Sequence, residues 1–548
     1  MISNKLRALI FCLLVILLSL LFHGPLSHII YWHEQHHLFR YSEIYFLQTT
    51  NSPFGVLNYI TSYAIQYFYD PLIGALIVAF SLSLIFLLNS LLWQKLYSHC
   101  DYFILSLLPT LYLVVELASI EFPIKIIFGI LLNLILVIPC VCILKKAKKH
   151  FKPLLLIFIF VLSNAYCIIS LCMMTIEIIP TTSTFKSNMP LTSTIVTLLI
   201  LSASPFLGSL LSVYISKFTK GSLKWKCLIS LASLLLIASI SMWGLFEKHS
   251  YRARLMIKVD RHIKNNEWHE VLIETKKYQG KNHLVSYINN LALYKTGRLP
   301  YDLFLYPQSF GKESIFIPWN GQTKENEYGD LIYAELGYWN EAHRWAFESM
   351  TINGENAAIL QKLVRYNIAN KRPLVAQRFI NILKETKFYK NWAIEEEKIL
   401  HTEKINYTEQ KNQIHFSNIS DIGADLLFIT RQEPDNKMAF EYLMSYYLLS
   451  NRLLDFAQNS SNMKTFYQGV PPIYEQALIV FKTMYPKEFE ALELEISSQC
   501  VEQFKAYSQS YANCKSQSDQ LRLREQFGAS YWYYLNFISP YGNKIIIQ

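Results

Sequence analysis

Seven apolar runs, each long enough to be weighed as a membrane span, fill the first 246 residues, and the 302 residues after them contain none. A helix needs roughly 20 residues to cross about 30 Å of hydrocarbon, and only a closed hydrogen-bonding geometry is tolerated there. The runs are Arg7–Leu26, Pro71–Trp93, Tyr102–Ala118, Phe122–Leu144, Pro153–Ile179, Leu191–Ile215 and Cys227–Leu245. The third is short and leaves little room for tilt, whereas the fifth is long enough to tilt or protrude. The first begins like a signal peptide, with Lys5 and Arg7 before the apolar stretch. Its length, the lack of an A-x-A-like end and the spans that follow point to a retained helix.

The cations between these runs set an orientation, because loops that stay in the cytoplasm carry the Lys and Arg. With the N-terminus inside, the inner segments hold Lys5 and Arg7, then Lys95, then Lys145, Lys146, Lys148, Lys149 and Lys152, then Lys217, Lys220, Lys224 and Lys226. Those twelve face only Arg40, Lys125 and Lys186 in the outer loops. Seven crossings then place the polar half outside the cytoplasm. Much of the net charge of +10 is therefore a topology signal. The run KKAKKHFK at 145–152 lies between two spans, so anionic lipid headgroups, and not nucleic acid, are its expected partner.

Nine cysteines form no framework. Cys12, Cys100, Cys140, Cys142, Cys167, Cys172 and Cys227 lie in or beside apolar runs, where the residue serves as a small filler. Cys500 and Cys514 alone fall in the polar half, where an oxidising compartment permits a disulfide without requiring one.

Beyond Phe246 the apolar period becomes that of amphipathic helices. "EWHEVLIETKKYQG" ends at Gly280 and "HLVSYINNLALYKTGRLP" at Gly297 and Pro300. "DLIYAELGYWNEAHRWAFESM" and "RYNIANKRPLVAQRFINIL" align at an offset of 34, with Ile332 on Tyr366, Ala342 on Ala376 and Trp345 on Phe379. That offset is the tetratricopeptide period, and helical hairpins of this kind stack because none buries its apolar face alone. Further helices are expected at Ile422–Thr430, Lys437–Ser450, Pro472–Thr483, Lys487–Gln509 and Ser518–Ile538. The Pro/Gly-punctuated, aromatic segment 300–330 interrupts the series. It reads either as a flap over the core or as a binding surface, with Phe316, Trp319 and Trp345 as its candidate residues.

Two constellations carry possible chemistry. His33-Glu34-Gln35-His36-His37 satisfies H-E-x-x-H, in which His33 and His37 would bind zinc and Glu34 would act as base. A third ligand would have to come from Glu43, Asp70, Glu116, Glu121 or Glu177. The same stretch, with Tyr31 and Trp32, also suits an interfacial belt. Alternatively, Glu34 stands where glycosyltransferases that use lipid-linked sugars keep a catalytic acid, in the first outer loop, and 52–71 reads as an interfacial amphipathic helix. No D-E or D-x-D pair accompanies it.

Glu34-Gln35, "QYFYDPLIGALI" (66–77), "YINNLALYKTGRLP" (287–300), "IFIPW" (315–319), "LGYWNEAHRWAFESM" (336–350) and "MAFEYLMSYYLL" (438–449) resemble an uncharacterised family of multi-pass bacterial inner-membrane proteins, a group defined only by a domain of unknown function. The resemblance implies a multi-pass protein with a helical-repeat outer domain. It implies the Glu-Gln pair without the flanking histidines, and brings no activity and no catalytic residues.

The expectation is thus an all-α chain. Residues 1–246 form a bundle of about seven transmembrane helices, and 247–548 form a periplasmic, tetratricopeptide-like domain. The expected partners are the bilayer and a protein on the outer domain. No cofactor is expected, unless an enzymatic role brings zinc or another divalent metal.

Overall fold

A computed structural model describes residues 4–51, 55–96, 103–120, 122–144, 223–278, 280–319, 327–402 and 421–542. Every regular element is helical, and no strand occurs among the described residues. Two compact units are present. The first draws on Met1–Arg254, Met350–Gln361 and Gln377–Thr402, and the second on Leu255–Ser349, Lys362–Ala376 and Glu403–Gln548. The first unit thus reaches Arg254 and includes two stretches from the polar half.

The first unit contains α1 (Asn4–His23), α2 (Ser27–Gln35), α3 (Glu43–Thr50), α4 (Gly55–Ile65), α5 (Pro71–Leu96), α6 (Phe103–Leu117), α7 (Lys125–Leu144) and α8 (Leu223–Lys248). Among the described residues, three stretches are long and apolar enough to cross a membrane: Asn4–His23, Pro71–Leu92 and Leu231–Lys248. They coincide with three of the seven expected spans. Two more fall on shorter apolar helices, Ser106–Leu117 and Lys125–Pro139, so a seven-helix bundle is more than these residues display. The α6 helix is cut short because the amides of Ala118 and Ser119 turn back onto the carbonyls of Val115 and Glu116. The expected spans Pro153–Ile179 and Leu191–Ile215 lie outside the described residues.

The α1 and α5 helices run antiparallel. Arg7 Nη1, at the start of α1, donates to Gln94 Oε1 near the end of α5 at 2.6 Å, and Phe11 meets Phe80 edge-on at 5.7 Å. Their shared core takes Leu18, Phe22, Val78, Leu82 and Ile85, with Leu113, Leu117 and Ile127 from α6 and α7. Glu116 is buried and pairs with Lys248 Nζ at 2.9 Å.

In the second unit one turn recurs. Helices end at residues in the left-handed region at Asn266 (φ 58°), Gly297 (φ 70°), Gly337 (φ 82°), Lys371 (φ 56°) and Asn451 (φ 58°). At each, the next amide bonds back five residues: Glu267 to His262, Arg298 to Leu293, Tyr338 to Tyr333, Arg372 to Asn367 and Arg452 to Tyr447, at 2.7–2.9 Å. This is the Schellman ending, which satisfies the orphan carbonyls of a helix and redirects the chain. A new helix starts immediately afterwards in all five cases, at Trp268, Leu299, Trp339, Pro373 and Leu453. Gly337 and Lys371 stand 34 residues apart, and the aligned Ala342 and Ala376 are both fully buried.

Two expected helices are broken. Pro486–Glu490 and Ser498–Ala512 replace one continuous helix, with Glu493 at φ 50° between them and Ser497 capping the second through Cys500 N at 3.3 Å. Gln517–Phe527 likewise stops at Gly528 before the aromatic turns of 531–538. Cys500 and Cys514 are both free thiols.

Candidate functional site

The α2 helix is nine residues long and too short to be stable alone in water. It is held by what it buries: His28, Ile29, Ile30, His33 and Glu34. Gly74 lets α5 approach α2, since an added Cβ would stand 2.6 Å from Ile30 Cγ2. The consequence is a carboxylate, Glu34, only 7% exposed at the last turn of α2. A buried carboxylate needs donors. Tyr389 Oη donates to Glu34 Oε1 from 355 residues further along the chain, and Gln35 Nε2 donates to Oε2.

Tyr389 is itself positioned locally. Its amide donates to Thr386 Oγ1 at 3.2 Å, and the Thr386 hydroxyl donates to Leu383 O at 2.7 Å, which fixes the turn before the helix Lys390–Thr402. The Tyr389 ring meets Tyr69 edge-on at 5.6 Å, while Phe388 stacks on Tyr69 at 4.8 Å. Burial and the Glu34 charge push the Tyr389 phenol well above its ordinary pKa, so it remains a donor. A second set of links runs beside it. Tyr41 N donates to Glu385 O at 2.7 Å, Arg40 pairs with Glu355 at 3.2 Å, and Lys387 Nζ donates to Tyr67 Oη at 3.2 Å while lying over that ring.

The histidines are arranged differently. His37 Nδ1 lies 2.8 Å from His33 O and His36 Nδ1 2.8 Å from Trp32 O, so both rings fold back onto the end of α2. The His33 and His37 ring centroids are 6.0 Å apart. Among the described residues no group of three His, Cys, Asp or Glu side chains could hold a metal ion. Of the third ligands considered, Asp70 accepts from Leu72 N and Ile73 N to cap α5, Glu116 is paired with Lys248, and Glu43 is exposed in the first turn of α3. Glu121 and Glu177 lie outside the described residues.

Burial holds His28 and His37 down at about 4 and His33 well below its ordinary value of 6.5. The folded state therefore keeps neutral rings, whereas the unfolded chain takes up protons from about 6.5 downward. Stability contributed by this cluster is complete above that value and is lost as the pH falls toward about 4. The thermal unfolding midpoint of the detergent-solubilised protein should accordingly drop on acidification from about pH 7 to about pH 4.5. The drop should shrink in His28→Phe. An unchanged slope in that variant would exclude His28 from the effect.

Of the aromatic candidates in the second unit, two are buried and Trp319 is half-buried. Phe316 is 2% and Trp345 1% exposed. Trp319 packs edge-on against Trp345 at 4.9 Å beneath the Arg344 guanidinium. Within the 300–330 segment, residues 300–319 are tied to the helix His283–Lys295 by a reciprocal amide pair, Asn290 with Gln308, at 2.9 and 3.1 Å, both residues buried.

What can this site do? Both Glu34 oxygens are already engaged, so the carboxylate serves as an acceptor that ties α2 to the 385–389 turn. A general base or acid needs an oxygen directed at a substrate, and the zinc and glycosyltransferase readings draw no support from this geometry. The structure thus defines an all-helical protein with membrane-competent helices and a buried carboxylate–phenol clamp. The chain belongs to the family of unknown function DUF6057, whose pattern matches residues 2–538. No curated protein and no solved structure matches it.

Proposed function

We propose that this protein is a multi-pass inner-membrane scaffold, whose N-terminus is cytoplasmic and whose tetratricopeptide-like helical repeats bind a partner protein on the periplasmic side of the cell envelope. The observation that carries the repeat reading is the recurrence of one Schellman turn at Asn266, Gly297, Gly337, Lys371 and Asn451, each followed at once by a new helix. Stacked helical hairpins present extended surfaces suited to segments of other proteins. The twelve-to-three division of cations supports the orientation, and the three membrane-competent helices support an integral protein.

The test joins topology to binding. Alkaline phosphatase fused after Gln548 should be active and a fluorescent protein that matures only in the cytosol should stay dark. The reverse pattern would overturn the placement. In the same cells, crosslinking of the full-length chain should recover a defined envelope protein. Its recovery should be lost when exposed residues of the second unit are exchanged while the fold is retained. Recovery of nothing reproducible would overturn the scaffold role.

A further inference from the structure

The α3 helix has eight residues and buries none of them. Helices this short are marginal in water, and in proteins their stability comes from packing an apolar face. Yet α3 and α4 direct apolar side chains outward: Ile44 is 66% exposed, Leu47 50%, Val56 62% and Ile60 45%. Contiguous exposed apolar surface of this kind marks an interaction face. The hairpin is nevertheless built, not frayed. Ser42 Oγ caps α3 by accepting from Tyr45 N at 3.4 Å. Gly55 lets α4 close on α3, since an added Cβ would stand 2.2 Å from Thr49 O. Phe39 is buried among the rings of Tyr41, Tyr45, Tyr59 and Tyr63.

We infer that the α3–α4 hairpin lies in the membrane–water interface, with Ile44, Leu47, Val56 and Ile60 inserted among lipid acyl chains. The inference rests on the membrane reading of α1 and α5 given above. Continuity singles out lipid as the occupant. The hairpin is inserted between the two membrane-competent helices, and both leave apolar side chains exposed, Leu13 and Leu17 on α1 and Leu72 and Ile73 on α5. Residues 41–65 carry a single charged side chain, Glu43. Tyr63, Tyr67 and Tyr69, with Lys387 over the Tyr67 ring, provide the amphipathic border that interfaces favour. The hairpin would thereby keep the Glu34–Tyr389 clamp at the headgroup level.

The test is photocrosslinking of the full chain in vesicles of phosphatidylethanolamine and phosphatidylglycerol. Leu47→p-benzoylphenylalanine and Val56→p-benzoylphenylalanine are compared with the same change at Leu13 and at Glu395, whose side chain is solvent-exposed. Lipid adducts by mass spectrometry are expected at 47, 56 and 13, and not at 395. Lipid adducts at 13 alone, with positions 47 and 56 crosslinked to another segment of the chain or to a second copy, would overturn the hairpin proposal and leave the membrane reading standing. No lipid adduct at 13 would overturn both.

Discussion

Tyr389→Phe should destabilise the first unit by about 1–3 kcal/mol, the usual effect of leaving a buried acceptor without its donor, and toward the upper end because the acceptor is a carboxylate. The change removes one hydroxyl and leaves the ring against Tyr69, so packing is nearly unaltered. Glu34→Gln should cost less, because the amide still offers an oxygen to the Tyr389 hydroxyl. If the two groups act as one clamp, the double variant should fall short of the summed single effects. Thermal unfolding of the detergent-solubilised chain measures all four corners of the cycle. Additive effects, or a Tyr389→Phe variant indistinguishable from the parent, would remove the clamp as the reason for Glu34.

Trp345→Ala carries the largest expected loss, about 3–5 kcal/mol, the range for deleting a large buried aromatic. The side chain is enclosed by Trp319, Tyr333 and the Gly329 backbone, where even a methyl group would meet the indole at 2.2 Å. Gly329→Ala should therefore also destabilise, by about 1–3 kcal/mol through overpacking. The two readings of this tryptophan separate cleanly. A core residue lowers the unfolding midpoint of the second unit when truncated, whereas a partner-binding residue leaves it unchanged and weakens capture of the partner.

How far the molecule was legible beforehand depends on the range of the interactions involved. The apolar runs were visible because a span is a property of consecutive residues, and three of them reappear as membrane-competent helices. The helical period past residue 246 was legible for the same reason, as was the stop at Gly297, where a left-handed residue closes a helix. Asn266, Lys371 and Asn451 do the same work without a glycine. Their side chains tolerate the left-handed region at some cost, so composition alone gave no warning. The break at Glu493 was missed for the same reason, since Glu ordinarily favours helix.

Glu34 shows the opposite limit. The motif around it marked the position but suggested catalysis, because a carboxylate beside histidines is chemically suggestive from sequence alone. Its partner sits 355 residues away in a turn with no distinctive pattern. Arg40, Thr386 and Tyr389 were equally silent, as was the pairing of Asn290 with Gln308. An amide or hydroxyl has no preference for burial until a partner meets it.

By itself the sequence determined an all-helical chain, where its apolar segments lie, and which family it belongs to, because these follow from local periodicity and hydrophobicity. Only the tertiary structure decided that Phe316 and Trp345 are core, that both Glu34 oxygens are occupied, and that residues 350–361 and 377–402 group with the N-terminal unit. Each of those outcomes depends on a hydrogen bond or a packing contact between distant residues, and such contacts come into being only when the chain closes on itself.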